Sequence, residues 1–152
     1  MSNTPSFFHP CNSKNSTYYA PTAGNATTAL GSIAPPSTAT AVADPTQWVP
    51  VSGAAYTSLA NPASGYPVSG TSQIILSQCY ANPDVSKAVL DFLTDHYTNA
   101  SFASIVRGNG FNTVSSSFQT AIVENFLSNT SNDALDIDDS QLCGVAGGFA
   151  GR

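Results

Sequence analysis

Prolines divide this 152-residue chain into two unlike parts and limit what the first part can form. Nine of the ten prolines lie before residue 71, among many serine, threonine, alanine and glycine residues. Because proline ends helices and cannot donate a hydrogen bond inside a sheet, neither periodicity persists there for long. Residues 1–70 are therefore predicted to be extended, loop-rich segments with short strands at 16–19, 48–51 and 66–68, lying on a core formed by residues 71–152.

The second part opens with an apolar run and then gives the clearest helix signal. Residues 73–77 contain three consecutive large apolar side chains, which predicts a short buried strand. Asn82, Pro83 and Asp84 form a helix start: a capping side chain, a proline at the first helical position and an acid favoured by the helix dipole. Apolar residues at helical spacing then predict a helix over residues 83–97.

A second helix is predicted over residues 116–128, where apolar residues again recur at helical spacing. Ser116 and Gln119 have the spacing of a capping box at its start. Between the two helices, residues 102–106 fit either a helical turn or a strand.

Composition limits the function classes. Only 9% of the residues are charged while 41% are hydrophobic, a low-charge pattern typical of secreted and cell-surface proteins rather than of disordered chains. The four basic residues are scattered along the chain, so no basic face is available for nucleic acid or for anionic membranes. No apolar run reaches the roughly 18–20 residues of a membrane span. The first 20 residues lack the apolar region of a signal peptide, so an exported protein with this sequence is either a mature chain with an added Met or a fragment of a longer protein.

Two of the three cysteines flank the helical unit. A bridge between Cys79 and Cys143 closes a loop of about 65 residues, for which the chain-entropy model gives about 4 kcal/mol of stabilisation. An oxidising compartment, which the composition suggests, favours this bridge; two reduced cysteines in a cytosolic protein are the alternative. Cys11 is either free or paired with a cysteine outside this sequence.

Few residues suggest a metal or catalytic site. Asp133, Asp136, Asp138 and Asp139 form a dense cluster for which calcium is one interpretation, but the order of an EF-hand loop is missing. A solvated acidic loop beside the disulfide is the favoured interpretation. His96 lies near a helix end, where a structural role suits a protonated imidazole. No spacing indicates zinc, a catalytic triad or a cofactor site, so we predict neither an enzyme nor a metal or cofactor.

Several segments together carry a family resemblance: residues 44–51, 64–67, 77–82, 91–97 and 143–144. Their order and spacing resemble the C-terminal portion of the phosphate-binding proteins of the DING type. Those proteins are periplasmic or secreted relatives of the solute-binding component of phosphate ABC transporters. The resemblance runs from about residue 44 to the C-terminus, and its most specific pieces are the Ser-Gln-Cys-Tyr-Ala-Asn run and the His-Tyr ending of the first helix.

The resemblance implies an α/β fold, of which this chain forms a partial periplasmic-binding-protein-like lobe with short strands and two main helices. In the family, phosphate is held between two lobes by hydroxyls, backbone amides, an Asp and an Arg from the N-terminal half, which this sequence does not match. Ser69, Gly70 and Thr71 look like the family's Ser-Gly-Thr-Thr helix start. They precede a predicted strand rather than a helix, so they are only a weak phosphate candidate.

Two functions follow as hypotheses. The first is the C-terminal part of an exported phosphate-binding protein, which serves as scaffold and binds inorganic phosphate only together with the missing N-terminal half. The second is a stand-alone secreted structural or interaction protein that self-associates or pairs with another chain. The first follows from the resemblance. The second arises because the apolar faces of both helices need a covering layer, which we do not expect the proline-rich part to supply in full.

Overall fold

The computed structural model describes residues 10–31, 33–49 and 53–144, with only the backbone for residues 53–55. Within these residues the fold is rich in helix and has a single pair of two-residue strands. The elements are, in order, β1 (Cys11–Asn12), β2 (Thr17–Tyr18), α1 (Ala23–Leu30), α2 (Ala39–Val42), α3 (Pro45–Trp48), α4 (Gly53–Ala60), α5 (Pro83–Thr98), α6 (Ala100–Gly108), α7 (Ser116–Ile122) continuing as a π-helical turn (Val123–Leu127), and α8 (Ser140–Cys143).

Helix α5 confirms the first predicted helix and extends it by one residue. The Asn82 side chain accepts a hydrogen bond from the Asp84 amide, and Pro83 occupies the first turn. The helix ends where Asn99 leaves helical geometry; the same residue then caps α6 by accepting from the Ser101 amide. Residues 102–106 lie inside α6, so the helical alternative is correct for that stretch.

Helix α7 and the π-helical turn confirm the second predicted helix. The predicted capping box at its start is wrong. Ser115 precedes the helix and makes no side-chain cap, and the side-chain amide of Gln119 donates to the Val114 carbonyl. The buried Asn125 side chain donates to the Ala121 carbonyl over 2.7 Å. That carbonyl is the acceptor a regular α-turn gives to the backbone amide of residue 125, which explains the local change to π geometry.

The first 70 residues contain four helices that the sequence interpretation did not predict. The first of the three predicted short strands overlaps β2. Of the second, Trp48 ends helix α3 and residues 50–51 lie outside the described residues; the third, at residues 66–68, does not form a strand. Side-chain caps at Thr22, Thr38 and Asp44 begin α1, α2 and α3, and these helices are four to eight residues long. Such short helices depend on capping rather than on sustained periodicity, which is why the periodicity argument missed them.

The predicted buried strand at residues 73–77 is not formed among the described residues. The stretch has no regular secondary structure, and every one of its side chains is exposed, Ile75 to 90%. No neighbouring strand lies alongside within the described parts of the chain. A strand needs a paired neighbour and a covering layer to be buried, and local sequence specifies neither.

A loop at residues 62–66 docks against α1 and the β1–β2 hairpin. The side chain of Asn12, completely buried, donates to the Pro62 carbonyl at 3.0 Å and to the Gly65 carbonyl at 3.3 Å. The Tyr66 amide donates to the Asn25 carbonyl of α1. Gly65 has a φ of +85° and lies so close to α1 that a Cβ there would be 2.5 Å from the backbone of Asn25 and of Ala29. Glycine is required at this position both for its backbone angle and for the close approach.

Helix α5 and the elements that follow it pack beside the N-terminal helices. Leu93 of α5 is buried, and α5 contacts α6, α7 and the π-helical turn. The ring of Trp48 meets Phe126 of the π-helical turn edge to face, with centroids 4.8 Å apart. The side-chain amide of Asn112 donates to the Ala23 carbonyl at the start of α1. These contacts join the N-terminal helices to the helices that follow residue 83.

Candidate functional site

An apolar groove of about 670 Å³ lies between the N-terminal helices, α5 and α7. None of the described residues that line it carries a charge. Besides Ile74, Ile75 and Leu76, its large apolar members are Leu30, Ile33, Val42, Trp48, Val49, Leu93, Tyr97, Val114, Phe118, Ile122, Phe126, Leu127, Leu135 and Ile137. Burial raises the pKa of the Tyr97 phenol above its usual value, as expected for a hydroxyl in such surroundings. A groove without ionic groups is chemically suited to apolar partners and not to a phosphate ion.

The stretch over residues 71–77, here called the extended segment, forms no regular secondary structure and lines one side of this groove. Its apolar side chains Ile74, Ile75 and Leu76 are all exposed. Among the described residues, no backbone amide or carbonyl of the extended segment has a hydrogen-bond partner. The segment therefore presents unpaired backbone groups and exposed apolar side chains together.

The extended segment ends at a second feature, which we call the disulfide corner: Gln78, Cys79, Ser86 and residues 134–143. Cys79 and Cys143 are joined by a disulfide. The side-chain amide of Gln78 donates to the backbone carbonyls of Ala134 and Asp136. The backbone carbonyl of Gln78 accepts from the backbone amide of Asp138 at 2.8 Å. Cys11, in contrast, is an exposed free thiol.

The acidic cluster is a solvated loop only in part, which limits the favoured interpretation: Asp133 and Asp138 are exposed, whereas Asp136 is half-buried and Asp139 is buried in this corner. Asp139 is only 5% exposed, and one of its oxygens accepts from the Gln141 and Leu142 amides to cap α8. Asp138 accepts a hydrogen bond from the Ser86 hydroxyl. No group of three or more metal-binding side chains comes together in the part of the chain that the structure describes. The carboxylates of Asp138 and Asp139 thus serve as hydrogen-bond acceptors in the corner.

Asp136 is the acid of the cluster whose ionised form is least well accommodated. Burial raises the pKa of its carboxyl, and the neighbouring Asp139 carboxyl raises it further. One Asp136 oxygen is buried without a hydrogen-bond partner in the described structure. Ionisation of Asp136 therefore opposes folding, because a buried charge without a partner is poorly solvated.

This gives a pH dependence whose sign is fixed. A carboxyl with a raised folded-state pKa contributes stability below its ordinary value of 3.8 and loses it as pH rises through the folded-state pKa. Asp136→Asn, which stays neutral, is expected to gain stability relative to the parent as pH increases from about 3 to 7. Urea unfolding of both proteins across that range measures the difference. Asp133→Asn, in the exposed part of the loop, is the control for removing one negative charge; an equal gain there would contradict the assignment to Asp136.

The weak phosphate candidate, Ser69, Gly70 and Thr71, lies on the loop that leads into the extended segment. The Ser69 hydroxyl donates to the Tyr66 carbonyl, and the next helix starts only at Pro83. No helix N-terminus therefore presents its amides at this loop. His96 lies in the last turn of α5, where its ring contacts Phe92 and Tyr97. The other histidine, His9, lies outside the described residues.

Sequence reasoning missed the groove and the roles of Asn12 and Gly65. The groove is made by side chains that are distant in sequence, so no local pattern indicates it. For Gly65 a signal existed, because the Ser-Gly-Tyr-Pro run is typical of a turn with a left-handed residue.

No helix of the described chain is long and apolar enough to cross a membrane.

Comparison with known proteins gives consistent relatives, although no family model matches the sequence. The chain is 36% identical over 130 residues to a Pseudomonas aeruginosa protein named alkaline phosphatase L, covering 84% of this chain and 32% of that protein. It is 37% identical over 131 residues to a phosphate-binding protein of an unknown prokaryotic organism, covering 84% of this chain and 34% of the relative.

A solved structure agrees. The high affinity periplasmic phosphate-binding protein PfluDING, determined with bound phosphate, superposes with a TM-score of 0.72 at 30% identity, over 91% of this chain and 36% of that one. The chain thus spans about one third of the length of the relatives it matches. In sequence and in fold, the chain is thus similar to about one third of a DING-type phosphate-binding protein.

Proposed function

We propose that this chain is the C-terminal, scaffold part of an exported phosphate-binding protein and that the groups holding phosphate come from the rest of that fold. The observation that carries the proposal is the match in sequence and fold to one third of such proteins. The uncharged lining of the groove supports a scaffold role, because phosphate recognition needs cationic side chains or converging amides. The disulfide supports export into an oxidising compartment.

The charged side chains also support a scaffold role. Arg107 is exposed and its guanidinium donates to Asn112, away from the groove lining. Ser69, Gly70 and Thr71 lie on a loop where no helix begins. We therefore propose that neither Arg107 nor this loop holds phosphate in the assembled fold.

Isothermal titration with inorganic phosphate tests the proposal in two proteins. The chain alone is expected to show no micromolar binding. A single-chain chimera, in which this chain replaces the matching third of the 37% identical phosphate-binding protein, is expected to bind phosphate at micromolar or tighter affinity. The Ser69→Ala/Thr71→Ala variant of the chimera is expected to keep that affinity. Tight binding by the chain alone, or a folded chimera that binds none, would overturn the scaffold proposal.

We propose further that the chain does not hydrolyse phosphate esters, although some relatives are named alkaline phosphatase L. His96, the only histidine among the described residues, packs against aromatic rings rather than against a serine or cysteine nucleophile. Turnover of a chromogenic phosphate monoester by the purified chain, lost in a His96→Ala variant, would contradict this.

A second function is favoured by the open groove: a stand-alone secreted protein that covers its apolar side chains by self-association. Light scattering of the purified chain separates the two functions. A monomer at micromolar concentration is expected for the scaffold part, and a stable dimer would favour the stand-alone protein.

A further inference from the structure

The extended segment is open on both of its edges. Its backbone groups have no partner in the described structure, and its apolar side chains are exposed beside an apolar groove. We propose that residues 73–77 pair on both edges with apolar β-strands from the complementary two thirds of a phosphate-binding fold, and that these strands dock noncovalently even when they belong to a separate polypeptide. This rests on the proposed function and names the partner and the surface through which the scaffold joins it.

The unpaired backbone shows what kind of occupant fits. A small apolar ligand or a lipid tail has the right polarity for a groove of about 670 Å³ without charges. Such a molecule leaves the amides and carbonyls of the extended segment without partners, and buried unpaired backbone groups are costly. A β-strand supplies both the apolar side chains and the missing hydrogen bonds.

The side-chain pattern indicates pairing on both edges. The exposed fraction alternates along the stretch, 48% for Ile74, 90% for Ile75 and 45% for Leu76, as it does in a strand whose successive side chains point to opposite faces. Paired as a strand, the stretch is apolar on both faces. Strands that are apolar on both faces occupy the interior of sheets covered by helices, whereas edge strands carry charged or polar residues. The helices that line the groove supply one covering layer, and the sheet itself is missing from the described residues.

The described chain and a second copy of it both lack suitable strands. The only strands among the described residues are β1 and β2, two residues each and already paired with one another. A second copy brings the same groove, so two extended segments that pair satisfy one edge each and leave both grooves unfilled. The match covers about one third of each relative and shares its fold there, so the remaining two thirds are the part of such a fold that can supply the covering strands.

Co-expression tests the docking. The full chain with an affinity tag is produced together with the untagged part of the 37% identical relative that the match does not cover. We expect the two polypeptides to purify as a one-to-one complex, in which the amides of residues 73–77 exchange hydrogen at least about 100-fold more slowly than in the chain alone.

Matched variants locate the contact. Ile75→Lys is expected to abolish the complex, because a charge enters an apolar sheet interface, while the free chain keeps its stability since Ile75 is 90% exposed. Val68→Lys changes a similar residue that is also exposed but lies outside the groove lining, and it is expected to leave the complex intact. A complex that survives Ile75→Lys would overturn the proposal. So would a homodimer of the chain alone that Ile75→Lys disrupts.

The single-chain chimera separates a failure of docking from a failure of the proposed function. A two-chain complex that forms but binds no phosphate supports the docking and contradicts the phosphate role. A chimera that folds while the two chains do not associate overturns the docking in trans. A folded chimera whose 73–77 amides exchange freely overturns the pairing itself, whatever its affinity for phosphate.

Discussion

Replacing both Cys79 and Cys143 with alanine is expected to lower the free energy of unfolding by about 4 kcal/mol. The bridge spans 64 residues, and closing a loop of this length removes much of the entropy of the unfolded chain. A loss of this size is a large share of the about 5–15 kcal/mol by which domains are stable. The disulfide also fixes α8 and the acidic cluster beside Gln78, where hydrogen bonds provide the remaining connections.

Urea unfolding under oxidising conditions measures this effect. Cys11→Ala removes the exposed free thiol without touching the bridge and is the control; it is expected to change the stability by less than about 0.5 kcal/mol. Addition of a reductant should destabilise the parent and Cys11→Ala alike and leave the double variant unchanged. Equal stability of parent and double variant under oxidising conditions would show that the bridge contributes nothing.

Gly65→Ala is the second large expected effect, a loss of at least about 3 kcal/mol in the free energy of unfolding. The new Cβ meets two backbone atoms of α1 at 2.5 Å, and backbone of a helix cannot move aside as a flexible side chain can. The loop must therefore leave α1, which breaks the hydrogen bonds from Tyr66 and Asn12. Asn12 then becomes a buried amide that loses an acceptor.

Gly110→Ala is the matched control, because Gly110 has a φ of +80° but nothing within 4 Å of the position of a Cβ. It measures the conformational cost of alanine in the left-handed region, about 1–2 kcal/mol, without a steric clash. Thermal or urea unfolding of both variants then separates the two contributions. Equal losses for the two glycines would mean that the approach of residue 65 to α1 has no energetic weight.

The predictions that succeeded rest on neighbouring residues. Asn82 caps α5 because its side chain reaches the amide two residues on, and this needs no distant partner. The helix over residues 83–97 follows from the same start and a continuous apolar stripe. The short N-terminal helices were missed although their caps at Thr22, Thr38 and Asp44 are also local, since few residues follow each cap and no periodicity develops.

Asp139 and Asp136 show why the acidic cluster was misinterpreted. Four acids within the seven residues 133–139 usually form a solvated loop, because charged groups are seldom buried without partners. The Asp139 carboxylate accepts from the Gln141 and Leu142 amides, two and three residues away, whereas Ser86, which donates to Asp138, lies 52 residues away along the chain. Only the folded arrangement shows that Asp139 is buried.

The sequence by itself determined the two main helices, the capped start of α5 and the family resemblance, because each depends on residues that are close along the chain or in a recognisable order. The tertiary structure decided the rest. It placed Asp139 in a buried corner, brought Gly65 against α1 and left residues 73–77 as an unpaired, exposed segment beside an apolar groove. The physical reason is that burial of a strand is a property of its neighbours in the sheet, and the described part of this chain does not supply those neighbours.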